Sequence, residues 1–118
     1  NALPATLSQL VITKLLREKL GFEGVIITDD LQMKAISDRW GFEEAVQMAI
    51  LAGVDLVIIG NNLIRENNVV RRGAAAVSKL IDSGRISEDD VRASLNRVSI
   101  LKKKIAGEFS WKNNQPII

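Results

Sequence analysis

Two short apolar runs, Val25–Thr28 and Val54–Ile59, constrain this chain more than any other feature. Neither alternates polar with apolar side chains, and such a run suits a strand buried on both faces, as in a parallel sheet. Helical patterns precede, separate and follow them. The order reads α-β-α-β-α-α, and strands alternating with helices make parallel βα units. Two parallel strands are too few to close a sheet, because both faces and both edges need cover. The chain is therefore expected to be a piece of a larger α/β fold, or one that completes itself by association.

The helical segments carry their own start and stop signals. Leu10, Val11, Leu15, Leu16 and Leu20 are spaced as one helical face, and Gly21 stops it. A short turn of helix is predicted near Leu31–Ile36 and a full helix over Phe42–Ala52, ended by Gly53. A longer one is predicted from about Arg65 to Asp82. Ser87-Glu88-Asp89-Asp90 matches the S-x-x-[DE] capping pattern and opens a last helix to about Ala106. Residues 107–118 read as a tail.

Composition narrows the chemistry. With no cysteine among 118 residues, disulfides and thiolate metal sites are excluded. With no histidine, the commonest general base, imidazole metal ligands and any Ser-His-Asp triad are excluded as well. Reactions here must use carboxylates, Lys, Arg or hydroxyls, or borrow groups from another segment. No run approaches the roughly 18 apolar residues of a membrane span, and no basic-then-apolar leader opens the chain. It opens on Asn1 rather than Met, which leaves open both the true N-terminus and the localisation, cytoplasm or cell envelope. Residues 1–59 carry 5 basic and 8 acidic side chains, and residues 60–118 carry 11 and 6. Arg71-Arg72 and Lys102-Lys103-Lys104 lead the basic excess. Without interleaved aromatic residues they read as solvated helix faces, not as a nucleic-acid surface.

Where the first strand ends, Thr28 is followed by two adjacent carboxylates, Asp29 and Asp30. Strand ends of this kind are where α/β proteins place their chemistry. Either aspartate could serve as nucleophile, base or ligand. Equally, Asp30 could accept hydrogen bonds from the amides of Gln32 or Met33 as a helix cap. The turn Gly60-Asn61-Asn62 after the second strand could offer amides to a phosphate, or could be an ordinary loop. Met33 could reach back over the site or pack in the core. Trp40 reads as loop packing or a helix-entry contact, nothing supports either Trp40 or Trp111 as a sugar platform, and Lys34 and Arg39 read as solvated surface.

Pro4-Ala5-Thr6-Leu7-Ser8 and Leu20-Gly21-Phe22-Glu23-Gly24 through Asp29-Asp30-Leu31-Gln32-Met33-Lys34-Ala35-Ile36 resemble glycoside hydrolase family 3. The similarity extends through Glu44-Ala45-Val46, Ala52-Gly53-Val54-Asp55-Leu56-Val57-Ile58-Ile59 and Ser83-Gly84-Arg85-Ile86-Ser87. The closest branch is the bacterial β-N-acetylglucosaminidases (β-hexosaminidases). The resemblance implies an α/β fold of the (β/α)₈ TIM-barrel type. Residues 1–118 would be its C-terminal portion, and the two strands its seventh and eighth. It implies Asp29 as the catalytic nucleophile of a retaining hydrolase, with Asp30 and Met33 on the substrate side. Terminal β-linked N-acetylglucosamine, in peptidoglycan-derived or related glycans, is the implied substrate. No cofactor and no metal are implied. The acid/base partner of that branch is a His in an upstream loop. This chain has none, so alone it is expected to be inactive and to self-associate through its uncovered surface. Two other classes compete: a phosphate-binding barrel of the aldolase or isomerase kind, and a doubly wound regulatory domain. The first lacks a Gly-rich phosphate loop and a strand lysine, and the second lacks strands.

Overall fold

A computed structural model describes residues 2–62 and 65–108. A single turn at Ala5–Leu7 leads into an opening helix, Leu10–Lys19. Strand β1 (Ile27–Asp30), a short helix α1 (Lys34–Ser37) and helix α2 (Phe42–Ala52) follow. Strand β2 (Leu56–Ile58), helix α3 (Val69–Asp82) and helix α4 (Glu88–Glu108) complete the order. The strands pair in parallel, Ile27 opposite Leu56 and Asp30 opposite Ile58, so the chain has the expected α/β organisation.

The first strand lies two residues later than its apolar run. Ile26 O accepts the amides of Asp55 (2.9 Å) and Leu56 (3.1 Å), and Leu31 N–H donates to Ile58 O (3.1 Å). Between these points the Thr28 hydroxyl also accepts the Ile58 N–H, at 2.9 Å. Pairing therefore continues through the polar residues, with an irregular register between Ile27 and Asp30. The two aspartates are the end of the strand and not the loop beyond it.

One face of this pair is covered and the other is bare. Ile26, Thr28, Leu31 and Val54 are buried, and Val57 packs with them against the core. That core is lined by Ala45, Val46, Ala49 and Ala52 of α2 and by Ala76 of α3. The small side chains let α2 approach closely. Because strand side chains alternate, Ile27, Leu56 and Ile58 point the other way, and they are 49%, 36% and 46% exposed. The structure shows the runs covered on one face, where the sequence reading expected both.

Helix α2 has the predicted bounds, for local reasons. Glu43 and Glu44 sit in its first turn, where they complement the helix dipole. Gly53 ends it in the left-handed region at φ +104°, donating to Ile50 O at 3.0 Å. The Thr13 hydroxyl donates to Ala52 O at 2.8 Å, and a Cβ on Gly53 would lie 2.6 Å from that hydroxyl oxygen.

Three expectations need correction. In the opening helix only Ile12 is buried, with Leu16 packed beside it, while Leu10 and Leu20 of the predicted face are exposed. Its turns are wider than an α-helix: Leu20 N–H bonds to Leu15 O, five residues back, which rotates the phase of the inward residues. Helix α3 begins at Val69 and not near Arg65, because Asn68 takes the left-handed conformation (φ 62°) and breaks the right-handed spiral. Helix α4 continues to Glu108, beyond the predicted end near Ala106. Its start is as expected: Ser87 Oγ accepts the Asp90 N–H at 3.1 Å and donates to Asp90 Oδ2 at 2.8 Å. The rest of the tail, with Trp111, lies outside the described residues.

Candidate functional site

Asp29 and Asp30 close β1 with opposite environments. Asp29 shares the bare face with Ile27, and its carboxylate is exposed. Its Oδ1 accepts the N–H of Asp30 at 2.7 Å. Asp30 is half-buried, and its Oδ1 accepts the amides of Gln32 and Gly60, both at 3.0 Å. This bond to Gln32 N–H is the one expected of a cap. Helix α1, however, starts only at Lys34 and its own N-cap, Met33, makes no side-chain capping bond. Asp30 therefore braces the turn ahead of the helix and ties it to the end of β2.

The turn after β2 is held from the same side. Gln32, nearly fully buried at 4% exposure, accepts the Asn61 N–H on Oε1 at 2.6 Å. Asn61 is left-handed (φ 49°), and its Oδ1 accepts the Glu66 N–H at 2.9 Å. Gly60 leaves room for a neighbouring carboxylate: a Cβ there would sit 2.3 Å from Asp30 Oδ2, so that side chain or the turn would have to shift. The amides of Gly60 and Asn61, which a phosphate would need, are thus already bonded within the protein. Gln32 was not singled out in the sequence; its only signal was an amide side chain next to the paired carboxylates.

The remaining residues are placed separately. Met33 and Trp40 are partly buried against the core. Lys34 and Arg39 are exposed and line a recess of about 580 Å³ between α1 and the segment Ala2–Pro4. Asp29 lines neither this recess nor the one beside Asp55. Among the described residues no group of three or more His, Cys, Asp or Glu side chains gathers as a metal site requires. None of their helices is long and apolar enough to cross a membrane.

At the other end of the strand pair, Asp55 stands before β2 with its side chain fully buried. Its carboxylate receives Arg17 Nη2 at 2.6 Å, Arg97 Nη2 at 2.8 Å, Ser94 Oγ at 2.6 Å and the Ile26 amide at 3.0 Å. Burial alone would push this carboxyl up. The hydrogen bonds from Arg97, Ser94 and the Ile26 amide, with the charge of Arg17, outweigh burial and hold it below the usual carboxylate range. A recess of about 450 Å³ opens beside it, between the opening helix, α2 and α4. On α3, Arg72 is more than a solvated charge. It pairs with Glu43 (2.5 Å) and Glu66, and lies 5.3 Å from the centre of the Phe42 ring. The hydrogen bond from Arg72 holds the Glu43 carboxyl below its usual value.

Comparison with known proteins follows the same residues. The chain is 30% identical to β-hexosaminidase A of Pseudoalteromonas piscicida, over 86% of this chain and 17% of that protein. It is 30% identical to the β-hexosaminidase of Tolumonas auensis, over 95% of this chain and 30% of that protein. Among solved structures it superposes on a glycoside hydrolase family 3 β-N-acetylglucosaminidase from Paenibacillus sp. str. FPU-7. There the TM-score is 0.83 at 35% identity, over the whole of this chain and 21% of the other. The β-N-acetylglucosaminidase of Thermotoga maritima gives 0.71 at 34% identity, over 84% of this chain and 21% of the other. The chain thus spans less than a third of each of these relatives. With residues 1–101 matching the model of the glycosyl hydrolase family 3 N-terminal domain, the chain belongs to that family.

Proposed function

We propose that this chain is the C-terminal portion of a (β/α)₈ barrel in a retaining β-N-acetylglucosaminidase, with Asp29 as its nucleophile. One observation carries the reading. Asp29 stands exposed at the C-terminal end of a parallel strand, on the face left bare by Ile27, Leu56 and Ile58. In a barrel that face points inward, and strand C-termini form the mouth where catalytic groups sit. The share of each relative that the chain covers supports the same reading.

In this reaction Asp29 attacks the anomeric carbon through an oxocarbenium-like transition state. The bond to the leaving oxygen breaks as the glycosyl ester forms, and water then hydrolyses the ester with net retention. Asp30 and Met33, at and just beyond the strand end, serve the substrate side from the rim, although Asp30 lies on the covered face and Met33 packs against the core. Asp30 has only Oδ2 to offer a sugar, since Oδ1 holds two amides. A group outside this chain protonates the departing oxygen and later activates water. The substrate class is terminal β-linked N-acetylglucosamine in peptidoglycan-derived or related glycans. Without the acid/base group the chain alone is inactive, and its bare sheet face drives self-association.

The test is covalent trapping in the full-length enzyme carrying this segment. A fluorinated N-acetylglucosaminide should label the peptide containing Asp29, and Asp29→Asn should abolish both labelling and turnover. Label on another residue overturns the assignment. Turnover of an aryl β-N-acetylglucosaminide by the purified 118-residue chain overturns the fragment reading.

A further inference from the structure

The turn that follows Asp29 is tied to the turn after β2 through two side chains. Asp30 Oδ1 bonds the amide of its own turn (Gln32) and that of the opposite turn (Gly60). Gln32 Oε1 crosses the same gap and bonds Asn61 N–H at 2.6 Å. Backbone pairing supports both, since Leu31 N–H donates to Ile58 O. The two turns are therefore stapled twice beyond the sheet, immediately after the strand residues that face the bare side. The staples fix the Asp29-Asp30 peptide, and the Asp30 N–H on that peptide in turn holds Asp29 Oδ1 at 2.7 Å. One carboxylate oxygen, Oδ1, is thereby held by the backbone, and among the described residues Oδ2 receives no hydrogen bond.

We propose that Gln32 is a positioning residue: by stapling the β2 turn to the β1 turn together with Asp30, it fixes Asp29 so that Oδ2 is the attacking oxygen. This rests on the reading of Asp29 as nucleophile. Gln32 touches no reacting atom and acts through the peptide that carries the nucleophile. Near-attack geometry is demanding, and a shift of about 1 Å can cost on the order of 100-fold in rate. Loss of the Gln32 staple leaves the Asp30 staple in place, so the expected effect is about tenfold or more, on formation of the glycosyl-enzyme rather than on binding.

The experiment compares wild type and Gln32→Met in the full-length enzyme. Methionine keeps the length and burial of the side chain but cannot accept the Asn61 N–H. Turnover of an aryl β-N-acetylglucosaminide and the labelling rate of Asp29 by a fluorinated N-acetylglucosaminide are measured on folded protein. Support is a fall in kcat and in labelling rate of about tenfold or more, with KM changed less than about threefold. A lowered melting temperature with both rates unchanged shows a merely structural residue and overturns the proposal. If Gln32→Met does not fold, hydrogen exchange in the wild-type enzyme decides. Slow exchange at Gly60 and Asn61 supports the staples, and exchange as fast as in an open loop overturns them. Asp29→Asn, run in parallel, separates the two readings. If it remains active the nucleophile assignment fails; if it is dead while Gln32→Met retains wild-type rates, only the staple fails.

Discussion

Replacing Asp55 by alanine is expected to be among the most damaging single changes in this chain, although the residue stands at the opposite end of the strands from Asp29. The side chain is fully buried and receives four groups from three parts of the chain: Arg17, the Ile26 amide, and Ser94 and Arg97 of α4. Removing one partner of a buried ion pair costs about 3–5 kcal/mol, because the remaining charge loses its counterpart without regaining full hydration. Two guanidinium groups are affected here, and Arg17 Nε is already buried without a partner. Their side chains remain 16% and 24% exposed, which lets water relieve part of the cost. The expected loss therefore stays within about 3–5 kcal/mol. Asp55→Asn keeps one acceptor oxygen but sets an NH₂ group against N–H donors, and should recover only about 1 kcal/mol relative to alanine.

The consequence is also local. Ser94 and Arg97 hydrogen-bond α4 to the start of β2 through this carboxylate. Urea unfolding followed by circular dichroism, at fixed protein concentration, reads the global loss. Hydrogen exchange over residues 91–101 should show α4 opening in the Asp55→Ala variant. The pH dependence has a definite sign. The folded carboxyl lies below its ordinary value of 3.8, so its contribution is complete well above that pH. It is lost as pH falls through 3.8 towards the folded value, because the unfolded chain binds the proton first. The wild type should therefore lose stability on acidification more steeply than the variant. A loss under about 1 kcal/mol, with α4 equally protected, would refute the reasoning.

Three further outcomes follow from other contacts. Gly60→Ala places a Cβ 2.3 Å from Asp30 Oδ2, so the turn must shift; urea unfolding should show about 1–3 kcal/mol of destabilisation. An unchanged midpoint would mean that Asp30 can swing away freely. Arg72→Ala removes partly exposed pairs to Glu43 and Glu66 and the contact with Phe42, and should lower the urea midpoint only slightly, less at high salt. On the proposed barrel reading, the isolated chain should scatter light as more than a monomer. Ile27→Lys with Ile58→Lys, on the bare face, should shift it towards monomer; a monomeric wild type would sink that expectation.

The parts legible in the sequence were those set by local chemistry. Helix α2 has its predicted bounds because the glycine that ends it can adopt the left-handed conformation, and Ser87 starts α4 through its own hydroxyl. Both signals act within a few residues. The late position of the first strand has no such signal, since its pairing includes a threonine hydroxyl and extends to Asp30, among residues that propensity assigns to a loop. The phase of the opening helix is not legible either, because a spacing of about 3.6 residues per turn does not fit its wider turns. At the candidate site, the carboxylates stood out by their position after an apolar run. Gln32 and Gly60 did not, because their roles depend on partners about 30 positions away that only the fold brings close. The pairing of Asp55 with Arg97, separated by 42 residues, was hidden for the same reason.

Three aspartates on the same two strands show how position alone divides one side chain among different tasks. Asp55, before β2, is enclosed by two cations, a hydroxyl and an amide, so its charge is fully answered within the protein and serves to join elements. Asp30, at the end of β1, is answered by two amides and joins the two turns. Asp29, one residue earlier in β1, turns to the opposite face by strand alternation and meets a single amide. A one-residue slip of this strand would exchange the last two. Asp30 would then face the open side, and Asp29 would be buried against Gly60. The register that prevents this is held by the Thr28 hydroxyl on the Ile58 amide and by Gly60, whose missing side chain leaves room for the Asp30 carboxylate. These two residues, neither of them able to take part in the proposed attack, thus decide which carboxylate can.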